Sequence, residues 1–124
     1  MGGRDRHRRY RQRLGAHGED RAAEWYRAAG YDVVARNWRC AAGELDLVVA
    51  LPGELVFCEV KTRTSDRFGL PAEAVTAAKQ RRLRTLAARF LAEHPPVDGS
   101  AARSIRFDVV AVTGSTIDVI EAAF

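Results

Sequence analysis

Two short apolar segments joined by Pro52-Gly53 place the strongest constraint on how this chain can fold. The first segment, residues 43–51, and the second, residues 54–62, are rich in Val, Leu and Phe and are bounded by turn residues. This pattern is typical of β-strands joined by a tight turn. It predicts a β-hairpin in which each facing pair of residue numbers sums to 105, as 51 and 54 do. A symmetric change in loop length leaves these pairs unchanged.

Four charged side chains lie in the middle of this predicted hairpin. The register places Asp46 opposite Glu59 and Glu44 opposite Lys61. Because side chains alternate along a strand, all four are expected on one face of the sheet. Directly opposed Cβ atoms lie about 4.5–5.5 Å apart, so two facing carboxylates repel each other unless a cation or a proton lies between them. A hairpin that serves only stability would rarely carry this arrangement.

The chemistry of these side chains favours a site for a hard divalent cation. Mg²⁺ binds a few carboxylate oxygens, keeps several water molecules and accepts phosphate oxygens in its open positions. Such an ion lowers the pKa of a bound water and stabilises charge on a phosphate. Lys61 could orient that water or stabilise developing negative charge. The alternative interpretation is a structural ion network in which Lys61 pairs with Asp46 and Glu44, worth about 1 kcal/mol or less if exposed.

The rest of the chain alternates between helical and extended patterns. Its helical segments show apolar residues at the 3.6-residue period, and its extended segments are short and bounded by turn residues. The order α-β-β-β-α-β-β predicts a mixed β-sheet with helices packed against it, which is an α/β fold. Besides the first hairpin, the predicted elements are a helix at 18–29, a strand at 31–36, an irregular link at 37–39, a polar loop at 63–69 that is a candidate mobile lid, a helix from Pro71 to about Glu93, and a second hairpin of 104–112 and 116–120.

Length and composition indicate one globular domain without membrane spans. The chain has 124 residues, of which 47% are hydrophobic and 29% are charged, as in ordinary soluble proteins. No apolar stretch approaches the roughly 18 residues that span a bilayer, and the N-terminal region lacks the apolar segment of a signal peptide. We therefore expect a cytoplasmic protein. Cys40 and Cys58 cannot form a four-cysteine zinc site, and we expect Cys58 to be a core residue rather than half of a disulfide.

Positive charge is concentrated at the N-terminus. Six of the 20 basic residues but one of the 16 acidic residues lie within residues 1–13, so the remaining chain carries 14 basic and 15 acidic groups. The whole net charge of +4 therefore comes from this segment. We expect residues 1–16 to form a flexible or loosely helical basic arm and residues 17–124 to form the folded domain. The arm either binds phosphate groups or is a solvated tail.

The spacing of the charged residues resembles a nuclease motif. Asp46, twelve intervening residues and then Glu59-Val60-Lys61 resemble the core of the PD-(D/E)xK nuclease superfamily, and more closely its branch of archaeal-type Holliday junction resolvases. The chain as a whole is similar to the YraN-type family of small bacterial proteins. The segments that carry this similarity are Gly18-Glu19, Gly30-Tyr31, Arg36-Asn37, Gly43-Glu44-Leu45-Asp46, Phe57-Cys58-Glu59-Val60-Lys61, Lys79, Leu83, Arg106-Phe107-Asp108-Val109-Val110 and Ala123-Phe124.

This resemblance implies a restriction-endonuclease-like fold, with a mixed central sheet flanked by helices, and a metal-dependent nuclease site. By position in the motif, Asp46 and Glu59 would bind Mg²⁺ or Mn²⁺, and Lys61 would assist the attacking water. Glu19 matches the acidic residue that completes such sites from a neighbouring helix. Gln80 falls where many relatives place a supporting polar residue, although a solvated helix position is the alternative.

Two positions beside the motif need separate interpretation. Leu45 stands where the named motif has proline, which resolvase-like branches often lack. Glu44 either supports the ligands from outside the metal-binding set or caps Lys61. Basic side chains around the predicted site are expected to contact nucleic acid, and they are Arg36, Arg63, Arg67, Lys79 and Arg82.

The resemblance implies a protein that binds nucleic acid and hydrolyses phosphodiester bonds. DNA is favoured over RNA as its partner, but the sequence does not separate the two, nor a monomer from a homodimer. The alternative function is a non-catalytic module of the same fold that binds nucleic acid or a protein partner. A module that only binds gains nothing from crowded negative charge where phosphates must approach, so the acidic residues favour the enzyme.

Several other conspicuous residues have simpler interpretations. Trp25 and Tyr26 fit the apolar face of the first helix and are expected in the core. Trp38 could stack on a base or pack within the fold. Asp108 lies in an apolar strand near Arg106, and we expect it to orient that arginine or a loop. The three histidines are not spaced with the acids as ligand pairs, so we expect none of them to be catalytic.

Overall fold

The chain folds into a five-stranded β-sheet with one helix packed on each face. The computed structural model describes residues 3–63, 75–95 and 104–124, with side chains from residue 16 onward. The predicted order of helices and strands is confirmed within these residues. The elements are α1 (Gly3–Ala28), β1 (Asp32–Cys40), β2 (Gly43–Leu51), β3 (Glu54–Arg63), α2 (Ala77–Glu93), β4 (Ser104–Thr113) and β5 (Thr116–Ile120).

The sheet is mixed, and its strands follow the order in which they occur along the chain. Neighbouring strands are antiparallel for β1 and β2, for β2 and β3, and for β4 and β5. The central pair, β3 and β4, is parallel and is therefore joined by a crossover that contains α2. This α/β architecture confirms the predicted fold class and is consistent with a restriction-endonuclease-like fold.

The first hairpin has the predicted register over its turn-proximal half. The paired residues run from Leu51 and Glu54 to Leu47 and Cys58, and each pair sums to 105. Gly53 adopts φ 77° in the turn, a left-handed conformation that glycine reaches without steric cost. The sequence pattern therefore identified both strands and their alignment.

Two apolar layers enclose the sheet. On one face, α1 contributes Ala22, Ala23 and Tyr26, all without exposed surface. On the opposite face, α2 contributes a longer apolar stripe at helical spacing. The buried residues of that stripe are Leu83, Leu86, Ala87 and Phe90. The two helices thus approach the strands from opposite sides.

Helix α1 begins earlier than the sequence pattern indicates. The helix predicted at 18–29 runs from Gly3 to Ala28, so the basic segment forms its first half. Apolar periodicity starts only near residue 18, whereas the preceding arginines support a helix without supplying an apolar face. The predicted stop is confirmed, because Gly30 has φ 94° and closes the helix.

Strand β1 contains a residue with left-handed backbone geometry. The predicted irregular link at 37–39 is wrong, because β1 continues to Cys40. Asn37 has φ 51° within the strand, a conformation that asparagine tolerates better than most residues. Trp38 packs edge-on against Phe90 with ring centroids 5.4 Å apart, which settles its place as a packing residue.

Helix α2 begins later than predicted. Its first residue is Ala77, and Thr76 caps it by accepting a hydrogen bond from the Lys79 amide at 3.3 Å. The proposed start at Pro71 and the loop at 64–69 lie outside the described residues. The predicted end is confirmed, because the His94 amide caps the helix by donating to the Phe90 carbonyl.

A buried ion pair connects the C-terminal hairpin to α1. Asp108 is 1% exposed and accepts hydrogen bonds from Arg106 Nε at 2.8 Å and from the Tyr26 hydroxyl at 2.6 Å. The Ala122 amide donates to the same carboxylate at 3.0 Å. The expected orienting role of Asp108 is therefore confirmed, and it extends to the C-terminal turn.

The predictions about the cysteines and about membrane spans can be compared directly with the structure. Cys58 is buried in the layer beneath α1, as expected, and both cysteines are free. Within the part of the chain that the structure describes, no helix has both the length and the apolar character needed to cross a bilayer.

Candidate metal centre

The site is built around an interruption in the side-chain alternation of β2. Leu45 packs in the apolar layer beneath α2, whereas Leu47 packs beneath α1. Two residues separated by one position would share a face in a regular strand. Asp46 therefore lies where β2 changes face, and the prediction that alternation alone aligns all four charged groups is wrong.

The same irregularity occurs in the adjacent strand. β1 pairs Arg36 with Leu47 and Trp38 with Leu45, so Asn37 stands beside Asp46. The positive φ of Asn37 turns β1 at the position where β2 changes face. The two strands therefore stay paired through the distortion, which explains why it does not end the sheet.

A hydrogen bond to the Asp46 side chain takes the place of a backbone hydrogen bond between β2 and β3. Regular pairing of β2 with β3 ends at Leu47 and Cys58. Beyond that pair, Asp46 Oδ2 accepts a hydrogen bond from the Val60 amide at 2.9 Å. The predicted direct pairing of Asp46 with Glu59 is thus replaced by a side-chain contact one residue farther along β3. This contact fixes the carboxylate at the point where the two strands separate.

Three carboxylates meet at this separation point. Glu19 from α1 and Glu44 and Asp46 from β2 each bring one oxygen to within 4.8 Å of the other two. Sequence reasoning anticipated Glu19 and Asp46, but it included Glu59, which is not one of these three, and kept Glu44 out of the metal-binding set. The missing signal is three-dimensional, because Glu44 reaches the cluster through the change of face in β2. Glu44 also pairs with Arg39 at 3.2 Å.

The electrostatics of the cluster favour a cation. Burial raises the pKa of Asp46 to about 7, and the charge of Glu59 adds to this effect. The hydrogen bond from Val60 lowers the pKa but does not compensate, and Glu19 and Glu44 raise it further. A carboxylate that resists ionisation in this way gains stability when a cation enters its surroundings.

Two lysines lie on the other side of Glu59. Lys61 Nζ is 3.2 Å from Glu59 Oε1. Burial opposes the charge of Lys61, but a hydrogen bond with Lys79 and the charge of Glu59 outweigh burial and raise its pKa. The same hydrogen bond and the charge of Lys61 lower the pKa of Lys79. Lys61 is therefore the lysine that holds its proton more firmly.

A cavity of about 170 Å³ lies beside three of the carboxylates, Glu44, Asp46 and Glu59. Its strand side carries carboxylates, its helix side carries the cations Lys79 and Arg82, and two leucines form an apolar floor. Such a cavity presents negative charge on one wall and positive charge on the other. The residues that line it are Glu44, Asp46, Glu59, Lys79, Arg82, Leu83 and Leu86.

The donor set fits a hard divalent cation. Every candidate ligand is a carboxylate oxygen, which is the ligand type that Mg²⁺ and Mn²⁺ prefer. Within the described residues, neither cysteine belongs to the cluster, which disfavours a thiolate-bound zinc.

Comparison with known proteins identifies the family. Residues 18–112 match the model of a family described as uncharacterised protein family UPF0102. The chain belongs to the UPF0102 family. It is 56% identical over 104 residues to the UPF0102 protein of Beutenbergia cavernae, covering 84% of this chain and 85% of that relative. It is 52% identical over 105 residues to the UPF0102 protein of Frankia casuarinae, covering 85% and 86% of the two chains.

A third relative extends the comparison. The UPF0102 protein of Symbiobacterium thermophilum is 52% identical over 101 residues, covering 82% of each chain. The expected membership in the YraN-type family is confirmed by these matches. The UPF0102 region begins at residue 18 and therefore includes the whole carboxylate cluster but leaves the basic segment outside.

Not every predicted site residue of this UPF0102 protein reaches the cavity. Gln80 donates its side-chain amide to the Val75 carbonyl at 3.3 Å and thereby supports the start of α2. Arg36 pairs with Asp20 of α1. Arg63 ends β3, and Arg67 lies outside the described residues. Lys79 and Arg82 are the two predicted nucleic-acid contacts that line the cavity.

Proposed function

We propose that this UPF0102 protein is a metal-dependent nuclease that binds nucleic acid and hydrolyses phosphodiester bonds. The observation that carries this proposal is the cavity in which a carboxylate wall faces Lys79 and Arg82. Glu44 and Glu59 already pair with Arg39 and Lys61, whereas Lys79 and Arg82 line the opposite wall of the cavity. A phosphodiester needs both walls, because its phosphate is negative and its hydrolysis benefits from a carboxylate-bound cation.

The cation would be held between the first half of β2 and the adjacent part of α1. Glu19, Glu44 and Asp46 would supply oxygens, and Glu59 is a further donor on the same cavity. When bound, Mg²⁺ or Mn²⁺ supplies a more acidic water and stabilises negative charge on the phosphate. Asp46 is held in place for this role by the Val60 amide.

Lys61 has the properties of an electrostatic donor rather than of a base. Its raised pKa keeps the amine protonated at neutral pH, so it cannot accept a proton from water. Its ammonium is 3.2 Å from Glu59 and can donate to a water or a phosphate oxygen beside that carboxylate. This placement agrees with the role that the PD-(D/E)xK resemblance implies for the lysine.

The helix wall would receive the substrate. Lys79 and Arg82 are three residues apart in α2, so they are neighbours on the helix surface, and both line the same cavity. Positive side chains that neutralise phosphates supply most of the sequence-independent affinity for nucleic acid. The resemblance to resolvases favours DNA as the substrate, and Lys79 and Arg82 would align its backbone with the carboxylates.

The decisive experiment is a cleavage screen with matched variants. Wild-type protein, Glu59→Gln and Lys61→Ala are incubated with linear, flapped and four-way DNA and with structured RNA, with and without Mn²⁺. We expect wild type to cut at least one substrate in a Mn²⁺-dependent manner and both variants to lose most activity. Arg82→Ala should weaken substrate binding, whereas Arg89→Ala, an exposed change on the same helix, should not.

The screen also distinguishes the alternative function. If wild type binds nucleic acid but cuts none of these substrates, the protein is a binding module of the same fold. If Lys61→Ala cuts as well as wild type, the proposed mechanism is wrong even if cleavage occurs.

A further inference from the structure

We propose that Gly18 is a positioning residue for the cation site. The absence of a side chain at Gly18 lets α1 approach β3 so closely that Glu19 reaches the carboxylates of β2. This inference rests on the proposed function, because it concerns a ligand of the same site. It adds the requirement that an uncharged position, Gly18, has no side chain.

The approach at Gly18 is closer than any side chain allows. A Cβ atom placed there would lie 2.0 Å from Thr62 Oγ1 and 3.3 Å from Thr62 Cβ. An ordinary contact of this kind begins at 3.4 Å. The first distance is an overlap that only a shift of Thr62 or of the helix can relieve, and the second is a tight contact that needs a shift of a few tenths of an ångström. A methyl group at position 18 therefore forces α1 and β3 apart or displaces Thr62.

Small residues continue this close packing along the helix. Ala22 follows one turn after Gly18 and has no exposed surface. It packs in the layer that contains Val56 and Cys58 of β3. Thr62 lies on the same face of β3 as Cys58, because even-numbered side chains of this strand point toward α1. Gly18 thus packs directly against Thr62 near the end of β3.

Glu19 depends on this approach because it is the next residue of the helix. Its carboxylate lies within 4.8 Å of those of Glu44 and Asp46. Ligand oxygens of Mg²⁺ must converge to about 2.0–2.1 Å from the ion, with little tolerance for distortion. A displacement of α1 by about 1 Å would therefore remove Glu19 from the shared position.

Intrinsic helix preference predicts the opposite result for a substitution at Gly18. Alanine is favoured over glycine inside a helix, so Gly18→Ala should raise stability if the residue only lies in a helix. If the contact with Thr62 controls the position of α1, the same substitution should lower stability and weaken cation binding. The sign of the change separates the two cases.

The experiment combines Gly18→Ala, Thr62→Ala, the double variant and Ala28→Leu. Ala28 is exposed at the far end of α1, so Ala28→Leu controls for added bulk on the same helix. Calorimetry measures Mn²⁺ binding, and thermal unfolding is measured in chelator. We expect Gly18→Ala to lose at least about tenfold in Mn²⁺ affinity and to unfold a few degrees lower. In the double variant, Thr62→Ala removes the overlapping Oγ1 and should restore most of the lost Mn²⁺ affinity and thermal stability. The Ala28→Leu protein should resemble wild type.

Two outcomes would overturn the inference. The first is a Gly18→Ala protein that binds Mn²⁺ as well as wild type. The second is a Gly18→Ala protein that unfolds at a higher temperature than wild type. If wild type itself binds no Mn²⁺, the proposed function is refuted separately. A crystal structure of Gly18→Ala then decides the inference: displacement of the Glu19 carboxylate from Glu44 and Asp46 supports it, and an unchanged cluster overturns it.

Discussion

Asp46 and Asp108 are both acidic residues within the strands, but their surroundings differ. Asp108 is 1% exposed and is bound by Arg106, by the Tyr26 hydroxyl and by a backbone amide. Asp46 accepts a hydrogen bond from the Val60 amide and lies close to the carboxylates of Glu19 and Glu44. Asp108 therefore has its charge compensated within the fold, whereas the charged groups described around Asp46 are mainly acidic.

This difference separates a structural acid from one that we propose to bind a cation. Compensation at Asp108 is strong enough that its hydrogen bonds raise the pKa of Arg106. At Asp46, burial and neighbouring acids raise the pKa of the carboxyl to about 7. A fold gains nothing from an uncompensated carboxylate, so the cluster is expected to be compensated from outside, by a cation and a phosphate. The contrast can be tested by perturbing each acid and its neighbours.

The largest effect on folding is expected at Asp108. Asp108→Asn should lower the free energy of unfolding by about 3–5 kcal/mol, because it leaves the Arg106 guanidinium partly buried without its main partner. Urea denaturation measures this loss. Replacing the exposed Asp118 of β5 with Asn is the control and should change stability little. If the Asp108→Asn protein is as stable as wild type, the charge of Asp108 does not stabilise the fold, and the proposed difference between Asp108 and Asp46 is wrong.

The next largest effect is on catalysis at Lys61. Lys61→Ala should lower the cleavage rate by about 10²–10³ because it removes an ammonium from the side of Glu59. Mn²⁺ affinity should remain within a few-fold, since the lysine carries positive charge and is not a ligand. Single-turnover cleavage and calorimetry measure the two quantities. Loss of Mn²⁺ binding together with cleavage would show that Lys61 acts by maintaining the site.

Asp46→Asn should have the opposite effect on stability to Asp108→Asn. In the metal-free wild type, the pKa of Asp46 is raised from 3.8 to about 7, so the folded state binds this proton more tightly than the unfolded state. The contribution of Asp46 to stability therefore falls as the pH rises from about 4 to about 7 and is constant above that range.

The variant lacks this unfavourable contribution while its amide oxygen can still accept from Val60. We expect Asp46→Asn in chelator to be more stable than wild type at pH 8 by about 1–3 kcal/mol, with little difference at pH 4. Denaturation at the two pH values measures this. Calorimetry should show that Mn²⁺ binding is lost. A variant less stable than wild type at pH 8 would show that Asp46 is compensated as Asp108 is.

The smallest effect is expected from the basic segment, which lies outside both acidic regions. Replacing its six arginines, at positions 4, 6, 8, 9, 11 and 13, with Gln should leave unfolding and Mn²⁺ binding unchanged. If these arginines contact phosphates, affinity for DNA should fall, and each lost contact should reduce the salt dependence of log affinity by about 0.9. An unchanged salt slope would assign binding to Lys79, Arg82 and the end of β3.

The sequence was most informative where local pattern and tertiary structure agree. The pairing from Leu51 and Glu54 to Leu47 and Cys58 follows from alternation and one turn, so it could be predicted. The early start of α1 could not, because its first half has no apolar periodicity. The delayed start of α2 follows from the cap at Thr76, which competed with the proline signal at Pro71.

The candidate site could be predicted in composition but not in geometry. The motif spacing identified Asp46, Glu59 and Lys61, and the resemblance identified Glu19. Glu44 was placed outside the ligand set because its position depends on the change of face in β2, which is coupled to the positive φ of Asn37 in another strand. No pattern within one strand reports such a coupling. The contact of Gly18 with Thr62 is equally invisible, since it joins distant parts of the chain.

The hydrogen bond between the Val60 amide and Asp46 also gives the site a spectroscopic signal. In a ¹⁵N-labelled sample, the amide resonance of Val60 depends on the electron density of the carboxylate oxygen that it donates to. Titration with Mg²⁺, which is diamagnetic, should therefore shift this resonance, while the resonances of Val56 and Phe57 in the regular part of the ladder should stay nearly constant. Occupancy of the site can then be followed residue by residue without a substrate and without any measurement of cleavage.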